Sequence, residues 1–203
     1  ACDALTNFLI NDLSSFYLDF SKDTLYCEKK DSKARRDCQY VLYRTVTALA
    51  IALSPILPFT CEEIYDAIDK RAKKESVALE DYPDLGEVDA ALGEDYRLLL
   101  ELRSHVNAIL EPVRKEGTIG SSSEAKVFYA PVSKAEKDLI EKIGIRDVCK
   151  VLIVSGFELG EESRAVKHPG VRCDRCWNYF DDCVEKDGNH LCPRCLKAIA
   201  DEE

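Results

Sequence analysis

Methionine does not occur in this 203-residue chain, and tryptophan occurs once. The first residues, "ACDALTNFLI", carry no initiator methionine, and Leu5, Phe8, Leu9 and Leu13 already follow helical spacing. That combination predicts a piece cut from a longer chain, entered within a helix. No apolar run approaches the ~20 residues that span a bilayer, so a membrane partner is not expected. No segment has the order of a secretory signal, and there is no internal repeat or low-complexity tract. Basic residues are in deficit: the net charge of −10 argues against a generic polyanion binder without excluding one, because an acidic surface repels phosphate at long range. A local basic face on such a surface can still grip nucleic acid. What the chain does have is 46% hydrophobic residues and ten cysteines, enough to bury a core in one or two domains.

The first half reads as helices. Leu5, Leu9, Leu13, Phe16 and Phe20 recur at steps of three and four. A second helix opens at Asp31 or Ser32 as N-cap and ends at "LSPILPF", where Pro55 and Pro58 break the hydrogen-bond ladder. In the third, Thr60 and Glu63 form a capping box, Phe59 and Ile64 a hydrophobic staple, and the helix runs to about residue 75. After an irregular stretch a fourth covers roughly 94 to 116, with Leu99, Leu102, Val106, Ile109 and Val113 as its seam. Helices with single apolar faces and short loops predict a four-helix-type bundle over 1–117.

The pattern changes at "EGTIGSSSEAKVFYA", where Ala125, Val127 and Tyr129 alternate as in a strand. Ser133 and Glu136 cap a short helix to about 143, and "RDVCKVLIVSGFEL" reads as a buried strand. The expectation for 118–163 is a small β-α-β junction domain, with "GEESRAVKHPG" as a linker to a cysteine-rich module at 164–203.

That module holds Cys173-x2-Cys176, fifteen intervening residues, and Cys192-x2-Cys195. Each pair turns two sulfurs towards one ion, and two pairs complete a tetrahedron. Zinc suits four thiolates, and four protein ligands leave no position for water, so one structural rather than catalytic zinc is expected. Disulfides need an oxidising compartment, which nothing here suggests. The other cysteines read as small buried hydrophobes, and a reducing cytoplasm is expected. An iron–sulfur centre also accepts four cysteines. Cys183 belongs to neither pair and reads as packing, while His190 reads as a support to the ligands. Such a small tail needs the metal in order to fold. Trp177 either covers the metal knot or offers a stacking platform to an unpaired base, with Arg172 and Arg175 beside it.

These segments together resemble a known family. "LSPILPFTCEEIYDAI" resembles the anticodon-binding bundle of class I aminoacyl-tRNA synthetases, with Tyr65 where tryptophan is usual. "YLDFSKDTLYCEKKDSKARRDCQYVLY" and "LRSHVNAILEPVRKEGTIGSSSEAKVFYA" narrow the resemblance to the isoleucine branch. The ending "RCDRCWNY…LCPRC" is similar to the zinc module of its bacterial-type members. The resemblance implies the C-terminal part of an enzyme that joins isoleucine to its tRNA. The partners would be isoleucine tRNA and the catalytic N-terminal part, where ATP and magnesium would act. The family's His-x-Gly-His and Lys-Met-Ser-Lys-Ser signatures have no counterpart here, and no catalytic residue is named. It further implies tRNA contacts at Trp177 and Arg175, and at Arg35 and Arg36 of the "ARR" stretch; Arg172 joins them as a candidate by its local charge beside the first knuckle. "KRAKK" at 70–74 is a weaker candidate. Two readings compete: the DNA-binding zinc tail of a repair glycosylase, which leaves the bundle unaccounted for, and a purely structural clamp.

Overall fold

The computed structural model describes residues 2–68, 74–84, 86–87 and 89–200. The protein is mainly helical, with small sheets and a four-cysteine cluster near its C-terminal end. The described residues form two compact units, 31–88 and the segments 1–30 and 89–203 that flank it. Among the described residues no helix is long and apolar enough to cross a membrane.

In the flanking unit the chain starts with helix α1 (Cys2–Asn7), continues through a π-helical stretch (Phe8–Leu18), and ends in α2 (Asp19–Cys27). The periodic residues lie on its covered side. Phe16 is buried, edge-on to Phe20 at 5.2 Å and to Tyr96 at 5.7 Å, under the guanidinium of Arg103. Tyr96 and Arg103 belong to α5 (Ala90–Lys115), which starts earlier than the apolar seam suggests. The Asp89 carboxylate accepts from the amides of Ala91 and Leu92 and so caps the helix there.

Helix α5 packs Leu102, Val106 and Leu110 against a three-stranded sheet of order β2-β1-β3. Strand β1 (Ala125–Tyr129) runs parallel to β2 (Gly156–Leu159) and antiparallel to β3 (Arg164–Lys167). The predicted alternation holds: Ala125, Val127 and Tyr129 are buried. Two readings are corrected. "RDVCKVLIVSGFEL" is not one strand: α7 (Ile145–Leu152) precedes β2, burying Val148 and Leu152 one turn apart. A continuous apolar run does not separate the two states, and here tertiary burial chose the helix. The expected linker contains β3, which gains strand geometry only by pairing along β1.

Between β1 and α7 lies α6 (Lys134–Ile143). Ser133 caps the amide of Glu136, but the Glu136 carboxylate does not complete a capping box. It is buried and accepts from the Tyr129 hydroxyl at 2.9 Å and the Val132 amide at 2.8 Å, with His105 Nδ1 at 3.1 Å. A buried carboxylate is tolerated when its oxygens are satisfied in this way.

In the intervening unit α3 (Lys33–Leu53) is capped by Ser32, whose hydroxyl accepts from the Arg35 amide. Helix α4 (Pro58–Ala67) begins at the proline itself. Its fixed φ and missing N–H suit the first helical position. Thr60 is therefore already inside the helix, and Phe59 is 87% exposed, so the expected capping box and staple do not form. Ala50, Ile51, Cys61, Tyr65 and Val77 make this unit's core. Tyr65 is buried, as packing requires, and its hydroxyl donates to Glu80 and accepts from the Lys74 amide at 3.0 Å. The helix does not run to about residue 75 as expected: Ile68 is already extended and ends it, and Lys74 and Glu75 are not helical, while 69–73, with most of "KRAKK", lie outside the described residues.

Candidate zinc centre and its aromatic rim

The last segment of the flanking unit is built from two hairpins and a helix. Strands β4 (Val171–Arg172) and β5 (Tyr179–Phe180) pair antiparallel, and the turn between them is the first knuckle. Gly170 cannot be replaced here: a Cβ would lie 2.4 Å from the Phe180 carbonyl oxygen. Within the knuckle, the Cys173 amide donates to the Asn178 carbonyl at 2.9 Å and the Trp177 amide to the Cys173 carbonyl at 2.8 Å. Strands β6 (Val184–Lys186) and β7 (Asn189–Leu191) turn at Asp187-Gly188, both left-handed, as a two-residue hairpin turn requires. Strand β7 delivers Cys192, and Pro193 opens α8 (Pro193–Ala200), which carries Cys195 on its first turn.

The four predicted cysteines converge. The ligand sulfurs of Cys173, Cys176, Cys192 and Cys195 all lie within 4.8 Å of one another, and the Cys176 and Cys192 Sγ atoms are 3.9 Å apart. A tetrahedral zinc with ~2.3 Å Zn–S bonds separates its sulfurs by about 3.8 Å, so the set fits that ion. Cys173, Cys192 and Cys195 are buried, and the Cys192 amide donates to the Cys173 sulfur at 3.3 Å. Hydrogen bonds from Cys176, Cys192 and Cys27 hold the Cys195 thiol far below the ordinary range, and the same network pushes the Cys176 and Cys27 thiols up. Cys183 is outside the set and donates to the Val171 carbonyl at 3.4 Å. His190 is likewise outside it; its amide donates to the Asp174 carboxylate.

A fifth cysteine was not legible as part of this centre. Cys27, at the end of α2, is buried in the same cluster and donates to Cys195. Around it, both knuckle arginines reach α2. Arg194 forks onto the two Asp23 oxygens at 2.5 and 2.6 Å and approaches Glu28 at 3.4 Å. Arg175 donates to the Cys27 carbonyl at 2.6 Å and approaches that of Tyr26 at 3.5 Å. These are end carbonyls of a helix, which lack partners within it and attract cations. The repeated Cys-x-Arg-Cys spacing was the available signal: two arginines in equivalent positions invite a common target.

The proposed tRNA-contacting residues are distributed unevenly. Trp177 is 68% exposed, at φ +64. Arg172 is exposed, with Asp174 only at 3.9 Å. Arg175 is engaged with α2 as described. Arg35 and Arg36 lie on α3 in the other unit, where Arg36 pairs with Asp31 at 2.8 Å and donates to Gln39 at 3.0 Å.

A family model described as "Anticodon-binding domain of tRNA ligase" matches residues 1–129. The chain belongs to that anticodon-binding family. A second model, "Zinc finger found in FPG and IleRS", matches residues 170–198, spanning both knuckles. Isoleucine–tRNA ligases of Staphylococcus aureus strains JH9, Newman and N315 are each 39% identical to it over 209 aligned residues, covering 95% of this chain. The chain spans 22% of the length of these curated relatives. The anticodon-binding match covers the intervening unit and the first part of the flanking one, and the matched finger spans the four cysteines, which could hold one metal ion. Two closed pairs of thiolates assign it a structural zinc.

Proposed function

We propose that this chain is the part of an isoleucine–tRNA ligase that holds the anticodon stem-loop of isoleucine tRNA. The observation that carries the reading is Trp177, 68% exposed at the edge of a zinc knuckle whose sulfurs are buried. A tryptophan needed only to cover the metal would be hidden; an exposed indole offers a face on which an unpaired base can stack. Arg172 supplies a phosphate contact beside it. Arg175 acts by positioning, since it fixes the knuckle on α2. Arg35 and Arg36 serve as backbone contacts from α3. Catalysis with ATP and magnesium belongs to an N-terminal part, which is the chain's other partner, and the assembly works in the cytoplasm. The modules 1–117, 118–163 and 164–203 divide these tasks.

The acidic net charge is compatible with this role. Base stacking and a few base-edge contacts supply recognition, while phosphate attraction can reside elsewhere in a longer enzyme. Because Trp177 is the only tryptophan, its fluorescence reports the site directly. Titration with an isoleucine-tRNA anticodon stem-loop should quench it, a duplex DNA of equal length should not, and Trp177→Ala should retain zinc but bind weakly. An unresponsive tryptophan on zinc-loaded protein would leave the finger as a clamp.

A further inference from the structure

Four sulfurs close a tetrahedral zinc, so the thiol of Cys27 has no place as a ligand. It also lies outside the set whose sulfurs are all within 4.8 Å of one another. The fold nevertheless holds it against that set. Cys27 is buried in the same cluster as Cys173, Cys192 and Cys195. Arg175 grips it from two directions: the guanidinium donates to the Cys27 carbonyl at 2.6 Å, and the Arg175 carbonyl faces the Cys27 sulfur at 3.7 Å. Arg194, which precedes Cys195, fixes the same helix through Asp23. The thiol is thus anchored by the chain neighbours of two ligands.

What each ligand sulfur accepts gives that placement a chemical meaning. A sulfur bound to zinc is a thiolate, and hydrogen bonds from the groups around it orient it and steady its charge. The sulfur of Cys173 accepts from the Cys192 amide at 3.3 Å, that of Cys176 from the Asn178 amide, and that of Cys192 from the Cys195 amide. These three donors are backbone groups, which metal binding leaves intact. Among the described residues, the hydrogen-bonded groups at the Cys195 sulfur are three thiols, those of Cys176, Cys192 and Cys27. Zinc binds Cys176 and Cys192 as thiolates, so both lose the proton they would donate. Cys27 is not a ligand, and a free thiol keeps its proton at neutral pH. It is the donor left to the fourth sulfur. Cys183, which also packs on the cluster, spends its proton on the Val171 carbonyl.

We propose that Cys27 is a positioning residue of the zinc centre: in the metal-loaded chain its thiol donates to the Cys195 thiolate, taking the part that backbone amides play at the other three ligands. Helix α2 thereby supplies one group to a centre whose ligands all come from the last segment of the chain. The inference rests on the structural zinc and is independent of the anticodon reading.

The test measures zinc retention by the whole chain against a competing chelator, for the native protein and for Cys27→Ser, Cys27→Ala and Cys27→Val. Serine keeps a proton donor, alanine and valine have none, and valine is the better filler of the space. Serine should rank closest to the native chain, whereas alanine and valine should bind zinc roughly tenfold or more weakly. Cobalt loading gives a second readout. The sulfur-to-cobalt charge-transfer band should move to longer wavelength with alanine and valine, because a thiolate stripped of a hydrogen bond gives up its electrons more readily. With serine it should stay near its native position. If valine holds zinc as the native chain does while serine weakens it, Cys27 only fills space and the proposal is overturned. Equal retention by all three variants, or equal loss in all three, overturns it as well, and none of these outcomes bears on RNA binding.

Discussion

The two knuckles share the pattern Cys-x-Arg-Cys but diverge at the next residue. After Cys195 the backbone stays helical, and Leu196 packs into the cluster as α8 continues. After Cys176 it swings left-handed, and Trp177 is left facing solvent. The arginines differ in the same sense. Arg194 is mostly buried and makes a two-pronged ion pair with Asp23, whereas Arg175 reaches only helix-end carbonyls. The second knuckle thus anchors the finger, and the first is held by it and presents an aromatic. Equal spacing gives equal metal chemistry; what surrounds each pair decides the rest.

The largest expected effect treats the knuckles alike. Cys176→Ser and Cys195→Ser should each abolish tight zinc binding, removing a contribution of about 10–16 kcal/mol at neutral pH. Metal content, with circular dichroism of the finger, checks this. A variant that kept its zinc would break the equivalence.

The next effect separates the two. Arg194→Ala leaves Asp23, itself only 18% exposed, without its partner. We expect a loss of roughly 2–3 kcal/mol, below the 3–5 kcal/mol typical of fully buried pairs. Arg175→Ala forfeits a single charge-assisted hydrogen bond to a carbonyl, about 1–2 kcal/mol. Urea denaturation of the two variants should rank them in that order. The reverse order would make the first knuckle the anchor.

The smallest effects should have opposite signs. Leu196→Gly places glycine in a helix and should cost at least about 1 kcal/mol. Trp177→Gly relieves a left-handed side chain and should raise stability by about 1 kcal/mol. Thermal melts of zinc-loaded protein measure both. If Trp177→Gly were as destabilising as Leu196→Gly, the indole would be a structural cover after all.

Legibility followed the range of the interactions. Helices α3 and α5 were visible because their apolar faces and caps lie within one stretch of chain, and Ser32 caps where expected. Errors came where local signals were matched by a competitor. Thr60 and Glu63 spell a capping box, but Pro58 starts the helix first. The apolar run at 148–154 suits strand or helix equally, and only burial of Val148 and Leu152 beside α5 decided for helix.

The sequence by itself determined the candidate metal set, since two residues between paired cysteines confine both sulfurs to one turn wherever the chain goes. It also determined that one tryptophan would sit beside that set. Only the tertiary structure decided that Trp177 is exposed, that Arg175 and Arg194 hold α2, and that Cys27 joins the cluster from a position 148 residues before Arg175. Those contacts carry no local signature, because the partners meet only once each segment has buried its own apolar face.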